Sequence, residues 1–457
     1  MSRPDDSAGG GFDVAIVTPT YISSNPRVVK EADALSAAGF RVCVVFAQGP
    51  MQWARADDDG VAGAAAWRTR PVRWSNAVRA ERRSYLRSSL RFHLARRLPV
   101  SAWVPFFVTL RGECRTYPEL ARAAAAVPAR LYVGHYPEGL AAAAYAARQR
   151  KAALAYDAED LHTEEDAPGA DGLRRSARVF RIERRWIGSC AYVSTVSMGI
   201  ARALARRYEG TDPLVVHNVF PWKARETLDG QVKDRRGPAV SLYWYSQVIG
   251  FDRGLEDAIR ALGHIRRPFQ LHLRGFHSDT IARQLYALAA DVGIADRVFL
   301  HQRVPPAELL SRTAEHDIGL ALEQRVSRSR ELTVTNKLFF YLLAGLAIVA
   351  SATPGQEGVL QQMSGAGDTY PPGDPLALAG ILDHLMVDKA LLAARRRAAL
   401  DAAYRRWNWE TEQQPLIETV RAVLDANVAG AEHRARARAY AASETAPLTL
   451  EEHGRAR

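Results

Sequence analysis

The stretch Thr333-Val-Thr-Asn-Lys-Leu-Phe-Phe-Tyr-Leu-Leu-Ala-Gly-Leu-Ala-Ile-Val-Ala-Ser351 decides the fold. Threonines stand where a helix would start, and Lys337 falls inside its first turn. Apolar residues fill the helix body and Gly345 ends it. The short apolar run Ala347 to Ala350 then reads as a buried strand. The helix start offers unpaired N–H groups and positive partial charge, the setting that an anion such as a diphosphate needs. Read alone, the block is either a generic helix–strand unit or an anion site.

Outward from this block, strands alternate with helical segments through most of the chain. Asp13–Thr18 reads as the first strand. Pro26–Ala38 reads as a helix, with Asn25 as N-cap and Pro26 at its first position, and Phe40–Phe46 as the second strand. Further strands are expected at 130–133, 153–157, 192–195 and 214–217. Between Pro221 and Pro238 the chain turns polar and charged, which places a linker there. A second series follows, with strands at 239–245, 269–273, 297–300, 318–322 and 347–350. The expected fold class is α/β, with two doubly wound halves facing a cleft. Ligands of such sheets bind beyond the carboxyl ends of the strands. The expected boundaries are 12–225 and 238–406, with 1–11 and 428–457 as mobile tails.

The 457 residues suit two or three domains, and 47% hydrophobic content fills large cores. The net charge of +11 favours anionic partners, although an Arg/Ala-rich composition explains much of the excess. Cys43, Cys114 and Cys190 are too scattered for metal spacing or a disulfide framework, which points to a reducing cytosol. The start lacks the order of a signal peptide, and no apolar run approaches the roughly 20 residues of a spanning helix. Thr18 to Arg27, the first strand-to-helix turn, is no G-x-G-x-x-G loop, which counts against a dinucleotide cofactor.

The opening block resembles the "NKLFEYLAAGLPVVAS" segment of GT-B glycosyltransferases of the family 4 type. The run Asn25 to Gly39 is similar to that family's "DPRVLKEAEALAEAGH". The resemblance covers about residues 12–425. It implies a GT-B fold of two Rossmann-like domains, the second binding a nucleotide sugar. A last helix, 407–426, would cross back to the first domain, with Trp409-Glu410 at the family's "W-E". It also implies transfer of a sugar from a nucleoside-diphosphate donor to a hydroxyl acceptor, with retention of configuration. The acceptor could be a glycan, a lipid-linked molecule or a small molecule. No cofactor and no obligatory metal are expected.

The resemblance assigns candidate residues. Tyr243 to Glu256 resembles "YVGRLSPEKGLD", whose two cations grip the donor diphosphate; Arg253 stands at the second, and Gln247 replaces the first. Gly275 matches a close-approach glycine after a strand. Thr333, Thr335, Asn336 and Lys337 complete the donor side, and Lys337 and Arg253 would stabilise phosphate charge as the bond breaks. Asp317 to Glu323 resembles "ADIGLAPL", with its acid end near the donor loop. The family's two glutamates, eight positions apart, are replaced here by Leu332 and Phe340. Glu323 and Glu331 show the literal spacing out of register. Glu331 is one position off and stays a donor-side candidate.

On the acceptor side, His135 matches a family histidine that contacts the transferred sugar, with Glu138 placed to orient it. Read alone, such a histidine is usually structural. Arg27 faces either the cleft or solvent. Tyr156 to His162 resembles "YDAHE", and Asp157, Glu159 and Asp160 would bind acceptor hydroxyls or act as a base. The other reading is a helix-entry acid cluster, and neither is a metal site.

Between Arg68 and Arg97 lie ten arginines and one acid, Glu81, interleaved with aromatic residues and leucines. A basic amphipathic helix over Arg79–Arg97 would bind an anionic bilayer; the alternative is a solvated helix face. Without a recognition module, nucleic acid is not expected. The expected location is the cytoplasm, with peripheral contact to the inner face of the cell membrane. The rival reading is a catalytically weak or inactive relative that serves as a binding or membrane scaffold.

Overall fold

The computed structural model describes residues 11–101, 103–166, 169–251 and 253–444, with side chains through 426. Among these residues, strands form two parallel sheets, of seven and six. The first sheet holds β1 (Phe12–Thr18), β2 (Val42–Gln48), β3 (Arg68–Arg73), β4 (Ala129–His135), β5 (Ala153–Ala158), β6 (Val193–Thr195) and β7 (Leu214–Val215). The second holds β8 (Val240–Val248), β9 (Phe269–Phe276), β10 (Val298–His301), β11 (Ile318–Ala321), β12 (Ala347–Ser351) and β13 (Gly367–Tyr370). The spatial orders are β3-β2-β1-β4-β5-β6-β7 and β10-β9-β8-β11-β12-β13. Both are the doubly wound order, counted from each half's own first strand.

The central strands are buried on both faces, which is why they read as unbroken apolar runs: Val14 to Val17, Val42 to Ala47 and Ala347 to Ala350. Two strands were not expected. β3 is a sheet edge, paired only with β2 and half exposed, where arginines and Pro71 are tolerated. β13 is likewise an edge, and its Gly-Asp-Thr-Tyr has little apolar signal.

The opening block folds as read. The helix Asn336–Ala344 ends at Gly345, whose φ of +78° suits glycine, and the chain runs straight into β12. The helix Pro26–Ala37 is capped by Asn25, whose side chain accepts from the N–H groups of Arg27 and Val28.

The last helix, Trp409–Glu444, is longer than the expected 407–426 and continues over 428–444, where a tail was expected. Residues 1–10 and 445–457 lie outside the described residues. Leu416, Ile417, Val420 and Leu424 share a core with Val28, Leu35 and Phe46 of the first half. Arg130 donates to the Leu424 carbonyl at 2.6 Å. The chain therefore returns to its first sheet. None of the helices among the described residues is long and apolar enough to cross a membrane.

Candidate functional site

A cavity of about 520 Å³ opens between the two sheets. One wall comes from the loops after β4 and β5, with Tyr136, Glu159 and Asp160. The other comes from Glu323, just past β11, and from Ser329 to Asn336. The halves touch along its floor. Ser329 Oγ accepts from the Leu161 N–H at 3.0 Å, and Thr333 Oγ1 donates to Asp160 Oδ1 at 3.1 Å.

The second-half wall is built around one buried lysine. Lys337 lies in the first turn of the Asn336 helix, with Nζ 3.8 Å from Glu323 Oε1 and 5.3 Å from the centre of the Trp244 ring. Burial pushes its ammonium below the usual range. Glu323 opposes this, while the charges of Arg253 and Arg330 add to it. Arg330 reaches the same carboxylate at 3.0 Å. Two cations thus share a single acid, and Lys337 also feels the charge of Arg253. Thr335, at the N-cap, makes no side-chain capping bond, so the helix start faces the cavity with N–H groups to offer. This arrangement can hold an anion by charge and by backbone hydrogen bonds together.

The loop after β8 forms the flank of this wall. Arg253 Nη1 donates to Ser246 Oγ at 3.1 Å. Gln247 is exposed. Gly275 lets this loop pack down: a Cβ there would stand 2.5 Å from the Ser246 carbonyl oxygen. Asn336 is exposed on the cavity rim. Glu331, in contrast, turns to Arg328 at 2.6 Å and does not line the cavity. The second-half acid that lines the cavity is Glu323. Phe340, where the family resemblance places a glutamate, packs in an aromatic cluster, 4.8 Å from Phe220 and 5.2 Å from Tyr245 between ring centres.

The first-half wall rests on a buried ion-pair network that corrects several expectations. Arg27 faces neither cleft nor solvent. It grips Asp157 with two bonds, of 2.9 and 2.7 Å, and donates to the Val216 carbonyl. Asp157 also accepts from Ser194 at 2.6 Å, and it too is buried. Burial would raise its pKa, but Arg27, His135 and the Ser194 hydrogen bond together outweigh this and hold it below the ordinary carboxylate range. Neither residue is free to touch an acceptor.

His135 is fully buried rather than open to the cleft. Its Nε2 meets Glu31 Oε2 at 2.8 Å and its Nδ1 meets Glu159 Oε1 at 3.0 Å. Burial alone would lower its pKa; the carboxylates of Glu31 and Asp157 reverse this and push it up to about 10. The ring is an imidazolium clamped between acids. Glu138 does not orient it. That carboxyl lies near Glu113 and Arg175, and burial together with Glu113 raises it to about 7.

Of the expected acceptor-side residues, Glu159 and Asp160 reach the cavity. Glu159 is fixed by Asn25 Nδ2 at 2.6 Å and by His135. Burial pushes Asp160 up to about 6. Tyr136 joins them with a φ of +62°, an uncommon strain for a bulky side chain. Sequence reasoning missed Tyr136, Arg330 and Glu31. Glu31 was visible in the similar "RVVKEADAL" run. Arg330 was signalled only by Ser327, the N-cap that starts its short helix.

His135, Asp157 and Glu159 lie close enough to hold a metal ion. Their donor atoms are already committed: Asp157 to Arg27 and Ser194, and His135 to two glutamates. A cation there would have to displace a guanidinium and an imidazolium.

No protein-family model matches the sequence, and no curated protein matches it. Solved structures do. Sucrose-phosphate synthase from Thermosynechococcus elongatus is 15% identical, covers 91% of this chain and 100% of its own, and superposes with a TM-score of 0.65. Anabaena HepE, solved with UDP and glucose, is 14% identical over 90% of this chain and 100% of its own, with a TM-score of 0.62. A glycosyltransferase from Rickettsia africae is 11% identical over 91% and 99%, with a TM-score of 0.63. The chain has the GT-B fold.

Proposed function

We infer that this protein transfers a glycosyl group from a nucleoside-diphosphate sugar to a hydroxyl acceptor. The observation that carries this reading is the cationic wall at the start of the Asn336 helix. Lys337 and Arg330 share the Glu323 carboxylate there and Arg253 adds a charge beside them that is unpaired among the described residues, so positive charge is left over for a diphosphate. HepE, of the same fold, is solved with UDP and glucose, which supports a donor of this class. The diphosphate would lie against the helix start, with Arg253 and Lys337 offsetting the charge that grows as the glycosidic bond breaks. Glu159, held by Asn25 and His135, would accept a hydrogen bond from the acceptor hydroxyl. His135 then acts as the positioning group for Glu159 rather than as a contact to the sugar. The resemblance to family 4 favours retention, with the leaving diphosphate taking the acceptor proton on the same face. Turnover would need no divalent ion, because the cations that offset phosphate charge are side chains. EDTA should leave the rate unchanged, and loss of activity restored by Mg²⁺ or Mn²⁺ would reject that part of the reading.

A thermal-shift panel of UDP-, GDP-, ADP- and dTDP-sugars tests the whole proposal. At least one donor should raise the melting temperature, since a ligand at 100 times its Kd adds about 2.7 kcal/mol. A panel without any shift favours the second reading, a catalytically weak or inactive relative. Phe340 is the observation behind that reading: at its position an aromatic cluster leaves no carboxylate for a donor ribose.

A further inference from the structure

The helix Arg82–Arg97 is built inside out. Its inward face is small or polar, with Ser88 and Ala95 buried. That face is held down by polar contacts. Arg115 donates to Ser88 Oγ and to the Tyr85 carbonyl, and its guanidinium lies 4.2 Å from the Tyr85 ring centre and 4.4 Å from that of Trp74. Arg91 pairs with Glu119 at 2.6 Å. The outward face carries the leucines. Leu86, Leu90, Leu94 and Leu98 are 58, 63, 52 and 50% exposed, and they follow one another at intervals of four. Residues four apart lie on one helix face, so these form a continuous stripe. Just beyond it Trp103 is 95% exposed and Phe107 51% exposed.

Arginine flanks the stripe. Arg82, Arg83, Arg87 and Arg97 are exposed, and the same helical spacing puts them on or beside the leucine face. The nearby acids are committed elsewhere: Glu81 to Arg55, Glu119 to Arg91, and Glu113 to Arg175 and Arg178. Among the described residues, none of these four arginines forms an ion pair. The face is therefore both apolar and cationic.

We propose that this face is a membrane-insertion surface for an anionic bilayer. The leucines and Trp103 enter the boundary between headgroups and acyl chains, and the arginines meet lipid phosphate. The charge decides between occupants. A second copy of the chain would bring arginine against arginine, which repels; an anionic lipid surface satisfies the leucines and the arginines at once. The stripe also separates insertion from simple surface attraction, because buried apolar area holds at salt concentrations that screen exposed charge.

The test is co-sedimentation of the full-length protein with vesicles of phosphatidylcholine, with and without about 30% phosphatidylglycerol, at low and high salt. Wild type should bind only the anionic vesicles and keep part of that binding at high salt. The pair Leu90→Ser and Leu94→Ser should weaken vesicle partition at least about tenfold and abolish the salt-resistant part. The set Arg82→Gln, Arg83→Gln and Arg87→Gln should weaken it by a similar factor and flatten the salt dependence. All these positions are exposed, so the melting temperature should stay at the wild-type value, which checks folding. Wild type that ignores anionic vesicles overturns the proposal. So does a leucine variant that binds as wild type does. A wild-type dimer in light scattering that turns monomeric in the leucine variant, with no vesicle binding, would assign the face to a second copy instead.

Discussion

Arg253 is held by one hydrogen bond, to Ser246 Oγ, and pairs with no carboxylate among the described residues. Its charge is therefore free for a ligand. Arg253→Ala should lower donor affinity at least tenfold, about 1.4 kcal/mol, with the melting temperature unchanged. Isothermal titration with the donor found in the panel measures this, and equal affinity would remove Arg253 from the site. Arg27 shows the opposite case. Its type and place were legible in the run after Asn25, but its role was not, because its partner Asp157 is brought to it only by the pairing of β1 with β4 and of β4 with β5. The same holds for His135, whose acids come from the Pro26 helix and from the loop after β5. Its titration is testable. The folded pKa, about 10, is raised from an ordinary 6.5. Its stabilisation is therefore complete below pH 6.5 and is lost as pH rises through about 10. His162 has the same sign: burial lowers it, but the Glu165 hydrogen bond and charge lift it to about 9. His135→Gln should thus remove part, not all, of the wild-type fall in melting temperature between pH 6.5 and 10. Parallel curves for the two proteins would show that the clamped imidazolium contributes nothing there.

The Asn336 helix was legible as an element because local and long-range signals agree in it: polar start, apolar body, glycine stop, buried strand. β3 was not, because an edge strand can be written in arginine and proline, and the same letters read as a basic tract. Along the Asn336 helix, Phe340 shows how an element can be kept while a site position changes. The ring is buried against Phe220 and Tyr245, tying the helix to the linking segment and to β8. A carboxylate has no partner in such a cluster. Phe340→Glu should cost about 3 kcal/mol in urea unfolding and give no gain in donor affinity. A gain in affinity would mean that position 340 still faces the donor ribose and that the aromatic cluster yields to it. Gly345 permits a second, independent check on the same element. Its φ is +78° and an added Cβ would meet Leu400 at 2.9 Å, so Gly345→Ala should lower the melting temperature. An unchanged melting temperature would show that this turn relaxes without cost.

At the scale of the whole molecule, the two sheets are joined twice, by the linking segment after β7 and by the returning Trp409–Glu444 helix. The two connections are also bonded to each other. The Trp409 N–H donates to the Phe220 carbonyl at 3.1 Å, and Glu410 accepts from the Trp222 N–H at 2.9 Å. Lys30 is enclosed where they meet the first half, with Nζ 2.5 Å from the Val219 carbonyl oxygen and 5.0 Å from the Trp409 ring centre. The two-sheet plan could be read from the alternation of strands and helices; this junction could not, since it depends on residues nearly two hundred positions apart. Glu412 is its most connected acid. It is buried and accepts from the His217 N–H at 2.8 Å, from His217 Nδ1 at 3.1 Å and from Arg406. Burial would raise its pKa, but the His217 hydrogen bond and charge hold it below the usual carboxylate range. Glu412→Ala leaves those donors without a partner, at a cost of about 2–3 kcal/mol. The loss falls on the contact between halves rather than on either core. Wild type should therefore unfold in one urea transition, and the variant should unfold in two, with the weaker half melting first. A single transition merely shifted to lower urea would mean that the cleft-floor contacts, Thr333 to Asp160 and Ser329 to Leu161, suffice to couple the halves without the junction.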